Sequence, residues 1–142
     1  MDLIDNDILK ILQKNGRISM KNLGKKVGLS APAVSERVKK LEEKGIIEGY
    51  RAVVNPKKMG KSVEAFINIS MKPKNRKDFM QFVENNNNII TCYHVTGTYC
   101  MVIKALFEEM IDLEMLIDKL QEYGDTNTLI ILSTPLKRKL II

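Results

Sequence analysis

The run from Leu29 to Gly45 constrains the fold more than any other stretch: it reads LSAPAVSERVKKLEEKG, a helix with both of its ends specified. Ser30 offers a hydroxyl to the free N–H groups of a first turn. Pro32 suits that turn because its missing N–H would be unpaired there, and Gly45 accepts the left-handed conformation that closes a helix. Ala31, Val34, Val38 and Leu41 recur every three or four residues and form one apolar stripe, which leaves Pro32, Ala33, Glu36, Arg37, Lys39 and Lys40 directed away from it. Upstream, Ser19 to Val27 predicts a shorter helix with Leu23 and Val27 inward, and Gly28-Leu29 a tight turn between the two. A short helix, a glycine turn and a capped basic helix make a helix-turn-helix, whose second helix fits the major groove of duplex DNA.

The flanks complete a small domain. Leu3, Ile4, Ile8, Ile11 and Leu12 predict an opening helix over residues 2–15, with Asp2, Asp5 and Asp7 where the helix dipole favours negative charge. Ile46 to Val54 changes to short, β-rich residues broken at Gly49 and is expected as a hairpin, the wing of a winged helix-turn-helix. Asn55 to Gly60 is polar and contains both Pro and Gly, so the boundary is expected there: a first domain over 1–54, a linker over 55–61 and a second domain over 62–142.

From Lys61 the period changes to two. Val63, Ala65, Ile67, Ile69 and Met71 alternate with more polar neighbours, and Pro73 ends that strand. Phe79, Phe82 and Val83 predict a helix over 78–85, stopped by four asparagines. Ile89 to Thr96 and Tyr99 to Leu106 predict a hairpin turning at Gly97. Met110, Leu113, Leu116, Ile117 and Leu120 predict a helix over 108–123 that buries them, and Thr126 to Thr134 a last strand closed by Pro135. Strand, helix, strand, strand, helix, strand is the order of a ferredoxin-like fold. The expected class is therefore α+β, a winged helix-turn-helix followed by a βαββαβ sandwich. Two helices cover one sheet face, and Leu129 to Leu132 put apolar residues on both sides of the last strand, so a second subunit is expected on the other face.

Charge separates the two halves. Residues 1–60 hold 13 Lys/Arg against 7 Asp/Glu, whereas residues 61–142 hold 10 against 10. A basic first half points to a polyanion. Two cysteines are too few for a disulfide framework, and neither a signal-peptide pattern nor a membrane-length apolar run is present, so a cytoplasmic protein with free thiols and no membrane partner is expected. With one histidine, no phosphate-binding glycine loop and no dinucleotide glycine pair, the chain is not expected to be an enzyme or to need a cofactor. Cys92, His94 and Cys100 supply three metal-ligand types without a fourth and read as packed thiols and a hydrogen-bonded imidazole.

Residues 3–54 resemble the DNA-binding domain of the Lrp/AsnC family of feast/famine transcriptional regulators. The match runs through Asp5-x-x-Ile8-Leu9-x-x-Leu12-x-x-x-Gly16-Arg17-Ile18-Ser19, then Leu23-Gly24-x-x-Val27-Gly28-Leu29-Ser30, then Val34-x-x-Arg37-Val38-x-x-Leu41-x-x-x-Gly45-Ile46-Ile47-x-Gly49-Tyr50. The resemblance implies a second domain that senses a small molecule and assembles the protein, as a homodimer and onward to an octamer-like ring.

DNA contacts are then expected at the start of the capped helix, from Ser30, Ala31, Pro32 and Ala33, which let it approach closely. Ser35 and Glu36 face base edges, Arg37 a guanine or a phosphate, and Arg17, Lys21, Lys39, Lys40 and Arg51 phosphates. In the family, the turn between the second and third strands carries a Gly-x-Tyr-Asp type motif near the effector pocket. Here Gly97, Thr98, Tyr99 and Cys100 stand there, and a neutral thiol replaces the carboxylate that would pair with an amino acid's ammonium. Three readings stay open: other groups hold the amine, the ligand is different, or there is none. The last would make the protein an effector-independent architectural binder that bends or wraps DNA. A small-molecule module or enzyme with an incidental basic half is the reading from a different class.

Overall fold

Asp2 starts the first helix by closing a reciprocal pair of hydrogen bonds with the chain ahead of it: its carboxylate accepts from the Asp5 N–H at 2.8 Å, and that of Asp5 accepts from the Asp2 N–H at 3.1 Å. This capping box satisfies two of the donors a helix start leaves free. In the computed structural model, which describes residues 1–142, α1 runs over Leu3–Lys14, α2 over Met20–Val27 and α3 over Ala31–Glu43. Ser19 and Ser30 cap α2 and α3 with their hydroxyls, accepting from the N–H groups of Asn22 and Ala33. At the far end of α3, Gly45 takes φ 67°; its N–H donates to the Glu42 carbonyl and that of Ile46 to the Leu41 carbonyl, both at 2.9 Å. That pattern is a Schellman close, and it depends on a residue that enters the left-handed region freely.

Seven side chains, Ile8, Leu9, Leu12, Leu23, Val34, Val38 and Leu41, form the core of this unit. Two expectations for α1 are corrected: Leu3 is 81% exposed and Leu9 is buried, because the helix turns its 8–9–12 edge inward once Asp2 fixes where it starts. The expected hairpin over 46–54 also does not form; no residue there joins a ladder. Ile46 and Ile47 already donate to the Leu41 carbonyl, and the Tyr50 hydroxyl donates to Glu42 at 2.9 Å, so the first arm is spent on α3. Burial and that carboxylate push the Tyr50 phenol up to about 12.

The chain divides into two units: residues 1–53 together with 136–142, and residues 54–135. In the second, β1 (Val63–Met71), α4 (Arg76–Asn85), β2 (Ile89–His94), β3 (Met101–Phe107), α5 (Met110–Gln121) and β4 (Gly124–Ile130) build an antiparallel sheet in the order β2-β3-β1-β4. This is the ferredoxin-like order expected, and the α+β class holds. Ala65, Ile67 and Ile69 of β1 and Met101, Ile103, Ala105 and Phe107 of β3 face α4 and α5, whose Phe79, Leu113, Leu116 and Leu120 complete the core. Met110 was expected inside and is 52% exposed, since α5 begins at that residue and buries the 113–116–120 row. The last strand stops at Ile130, short of the expected Thr134, where pairing with β1 ends.

The other sheet face carries no helix. There Phe66 stands in register between Lys104 of β3 and Leu129 of β4, with the Lys104 ammonium 5.8 Å from the Phe66 ring centroid. An open cleft on this face is lined by Phe66, Lys104 and residues 130–135.

Candidate nucleic-acid interface and effector turn

The turn of the helix-turn-helix rests on a missing side chain. Gly24 is buried in α2, and a Cβ there would sit 2.6 Å from the Leu29 carbonyl oxygen, closer than real carbons approach. Leu29 N–H donates back to the Gly24 carbonyl at 2.9 Å, so the chain folds directly over this residue and α3 begins at once. Placed in this way, α3 buries Val34, Val38 and Leu41 and exposes Pro32, Ser35, Glu36, Lys39 and Lys40, with Ala31 and Ala33 half-buried beside Ser30 at its start.

The structure brings these expected contact residues onto one helix but gives their charges partners. Lys40 Nζ lies 2.7 Å from Glu36 Oε1, and Lys39 lies 3.6 Å from Glu43. The hydrogen bond from Lys40 holds the Glu36 carboxyl below its ordinary range, so it stays ionised. With three cations and three carboxylates between Ala31 and Glu43, α3 has no net charge. A neutral helix suits reading by shape and hydrogen bonds more than attraction.

Arg37, expected to meet a guanine or a phosphate, has partners within the unit. Its Nη1 lies 2.7 Å from Asp2 Oδ2 and 2.8 Å from Asp5 Oδ1, tying α3 to the cap of α1. Asp5 is half-buried; its desolvation is outweighed by the guanidinium, and both carboxyls lie below the usual range. The guanidinium is therefore engaged inside the unit. A signal for this stood in the sequence: Lys39 and Lys40 have acids one turn away, whereas Arg37 has none at three or four residues and lies between Val34 and Leu41 at the edge of the stripe.

Unopposed positive charge sits on α2 and its approach. Arg17, Lys21, Lys25 and Lys26 are exposed and make no ion pair, and α2 contains no acid. Lys25 and Lys26 went unmarked by the motif, although a helix whose only charges are three lysines is visible in the composition of residues 20–27. Arg51 is also exposed and unpaired, beyond the segment bound to α3.

In the second unit the expected effector residues form the turn between β2 and β3. Val95 N–H donates to the Cys100 carbonyl at 2.9 Å, closing a loop in which Gly97 (φ 114°) and Thr98 are exposed and Tyr99 is half-buried. Cys100 turns inward: its N–H donates to the Ile69 carbonyl at 3.0 Å and its thiol to the same oxygen at 3.4 Å. At the root of the turn, Arg76 Nη2 lies 2.9 Å from His94 Nε2. A guanidinium only donates, so the imidazole nitrogen accepts and its lone pair is occupied. Burial pushes the Cys92 thiol up, which keeps it protonated against the core.

This geometry recurs in known proteins. A model described as winged helix-turn-helix DNA-binding matches residues 1–48, and one described as Lrp/AsnC ligand binding domain matches residues 64–141. The uncharacterized HTH-type transcriptional regulator YezC of Bacillus subtilis is 42% identical over 134 residues, covering 94% of this chain and 95% of its own. The solved structure of B. subtilis LrpC superposes with a TM-score of 0.92 at 35% identity, over 97% of this chain and 99% of that one. A Neisseria meningitidis transcriptional regulator, NMB0573, solved as an L-Met complex, superposes with a TM-score of 0.93 at 27% identity, over 100% and 96% of the two chains.

Proposed function

Because this chain belongs to the Lrp/AsnC family of DNA-binding transcriptional regulators, we propose that it binds promoter DNA as a homodimer or a larger, octamer-like assembly in the cytoplasm, with a small effector acting at a subunit interface. Its homologues are regulators and not enzymes. The observation that carries the reading is the division of labour between α3, neutral and capped, and α2, cationic and unpaired. The start of α3, from Ser30 to Ala33, enters the major groove with Ser35 and Glu36 toward the bases. Arg17, Lys21, Lys25, Lys26 and Arg51 meet phosphates, and Lys39 and Lys40 do so as they exchange Glu43 and Glu36 for the backbone. Arg37 acts as a positioning residue that sets the angle of α3.

Gly97, Thr98, Tyr99 and Cys100 form the effector rim. The relative bound to L-Met supports an amino acid as the ligand class. Since Cys100 supplies no charge, the amine would be met by neutral acceptors, and the carboxylate by Arg76 at the root of the same turn. Ligand binding at such an interface shifts the assembly equilibrium by its differential affinity alone.

The test is a titration of the protein on its own upstream region and on scrambled DNA, at two salt concentrations, with and without a pool of amino acids. Preference for the upstream region that changes with one amino acid is expected. Preference indifferent to the whole pool would remove the effector, and equal binding to both DNAs would favour the architectural alternative.

A further inference from the structure

The neutral balance of residues 61–142 conceals a segment that the fold assigns to the other unit. Leu136 to Ile142 reads LKRKLII and groups with residues 1–53. The Ile141 N–H donates to Gln13 Oε1 of α1 at 3.0 Å, and Leu140 beside it is half-buried. Lys137, Arg138 and Lys139 are exposed, and none makes an ion pair. Counted by unit, residues 54–135 hold 9 Lys/Arg against 10 Asp/Glu, whereas residues 1–53 with 136–142 hold 14 against 7. The whole positive excess of the chain lies on the helix-turn-helix unit, and three of its cations come from this segment.

We infer that Lys137, Arg138 and Lys139 form a second, sequence-independent contact to the phosphates of the same duplex that α3 reads, an inference resting on the DNA-binding reading above. Lys139 is two residues from the anchor, so its Cα lies within about 7 Å of that of Ile141. Gln13, the anchor's acceptor, immediately precedes Lys14 and stands four residues before Arg17, both exposed and unpaired. The segment is thus anchored beside residues 14–21, which carry the free cations Lys14, Arg17 and Lys21. Leu140, next to the anchor, is half-buried, whereas the three charges stay in water. Phosphate is the ligand such a segment fits: consecutive flexible cations without acceptors or stacking rings carry no base code.

The experiment compares the full chain with a variant carrying Lys137→Gln, Arg138→Gln and Lys139→Gln, and with a charge-matched control carrying Lys72→Gln, Lys74→Gln and Lys77→Gln on the other unit. Affinity for the upstream region and for scrambled DNA is measured from about 50 to 200 mM salt, where each phosphate contact adds about 0.9 to the logarithmic slope. For each head bound to the duplex, the first variant is expected to lose two to three contacts of slope, about 2 to 3 on that scale, equally on both DNAs, while the control keeps it. An unchanged slope, or equal losses in the two variants, would overturn the inference, since position would then not matter. Failure of the unaltered chain to bind either DNA would overturn the DNA-binding reading itself, and the phosphate contact with it.

Discussion

At the scale of single residues, Arg37 shows how a cation on the outward side of α3 can tie that helix to the start of α1. Backbone N–H groups, Asp5's first for Asp2, and the Arg37 guanidinium hold its two carboxylate partners low; the part owed to Arg37 stabilises the folded unit fully above about pH 4, the ordinary Asp range, and is lost as pH falls through the lower folded values. Arg37→Gln is therefore expected to lower the melting temperature of the helix-turn-helix unit at pH 7, with the difference from the unaltered protein shrinking below about pH 4. Melting curves across that range check this, and a difference independent of pH would exclude the clamp. On DNA, the same variant is expected to lose affinity by one factor on all sequences; a loss confined to one base pair would make Arg37 a base reader after all. Glu36 predicts the opposite sign. It holds Lys40 and repels phosphate, so Glu36→Gln is expected to raise affinity for scrambled DNA and steepen the salt slope by about 1, as Lys40 is released.

Elements were legible where one residue decides the outcome, and illegible where a distant partner does. The cap at Ser30, the close at Gly45 and the strand order of the second unit follow from local chemistry and period, and the structure has them. Residues 46–54 look like strands because Ile, Val and Tyr favour extended backbone, but their first donors and the Tyr50 hydroxyl bind α3, a competition that β propensity does not record. The ion pairs of Arg37 were illegible for a related reason: Asp2 and Asp5 lie more than thirty residues away in sequence. The α2–α3 junction gives a sharper test of local necessity. Gly24→Ala places a methyl group against backbone that cannot rotate aside, so despite the better helix propensity of Ala it is expected to destabilise the first unit by about 1–3 kcal/mol. Denaturant unfolding measures it. A gain in stability would mean that the turn relaxes freely and does not fix the two helices.

On the scale of the whole molecule, each unit is built to be incomplete by itself. One recognition helix without net charge reads few base pairs, and the sheet of the second unit leaves Phe66 and the half-exposed Leu129 on a face that no helix covers. The proposed homodimer would meet both deficits: pairing of open faces would bury the apolar row, and two linked heads would bind two half-sites one helical turn, about 34 Å, apart. Linking turns the second binding event into an intramolecular one, which is worth about 10²- to 10⁴-fold in affinity without any new contact to DNA. Leu129→Asp puts a charge on the edge strand of that face, at a position already half in water, so the monomer is expected to keep its fold while its association fails. Sedimentation is expected to show a shift to monomer, and titration a loss of about 10²- to 10⁴-fold on a two-half-site duplex with no change on a single half-site. Equal losses on both duplexes would place the defect in folding, and an unchanged assembly would move the subunit interface away from this face. Comparison of the two duplexes thus separates what the head contributes from what the assembly contributes.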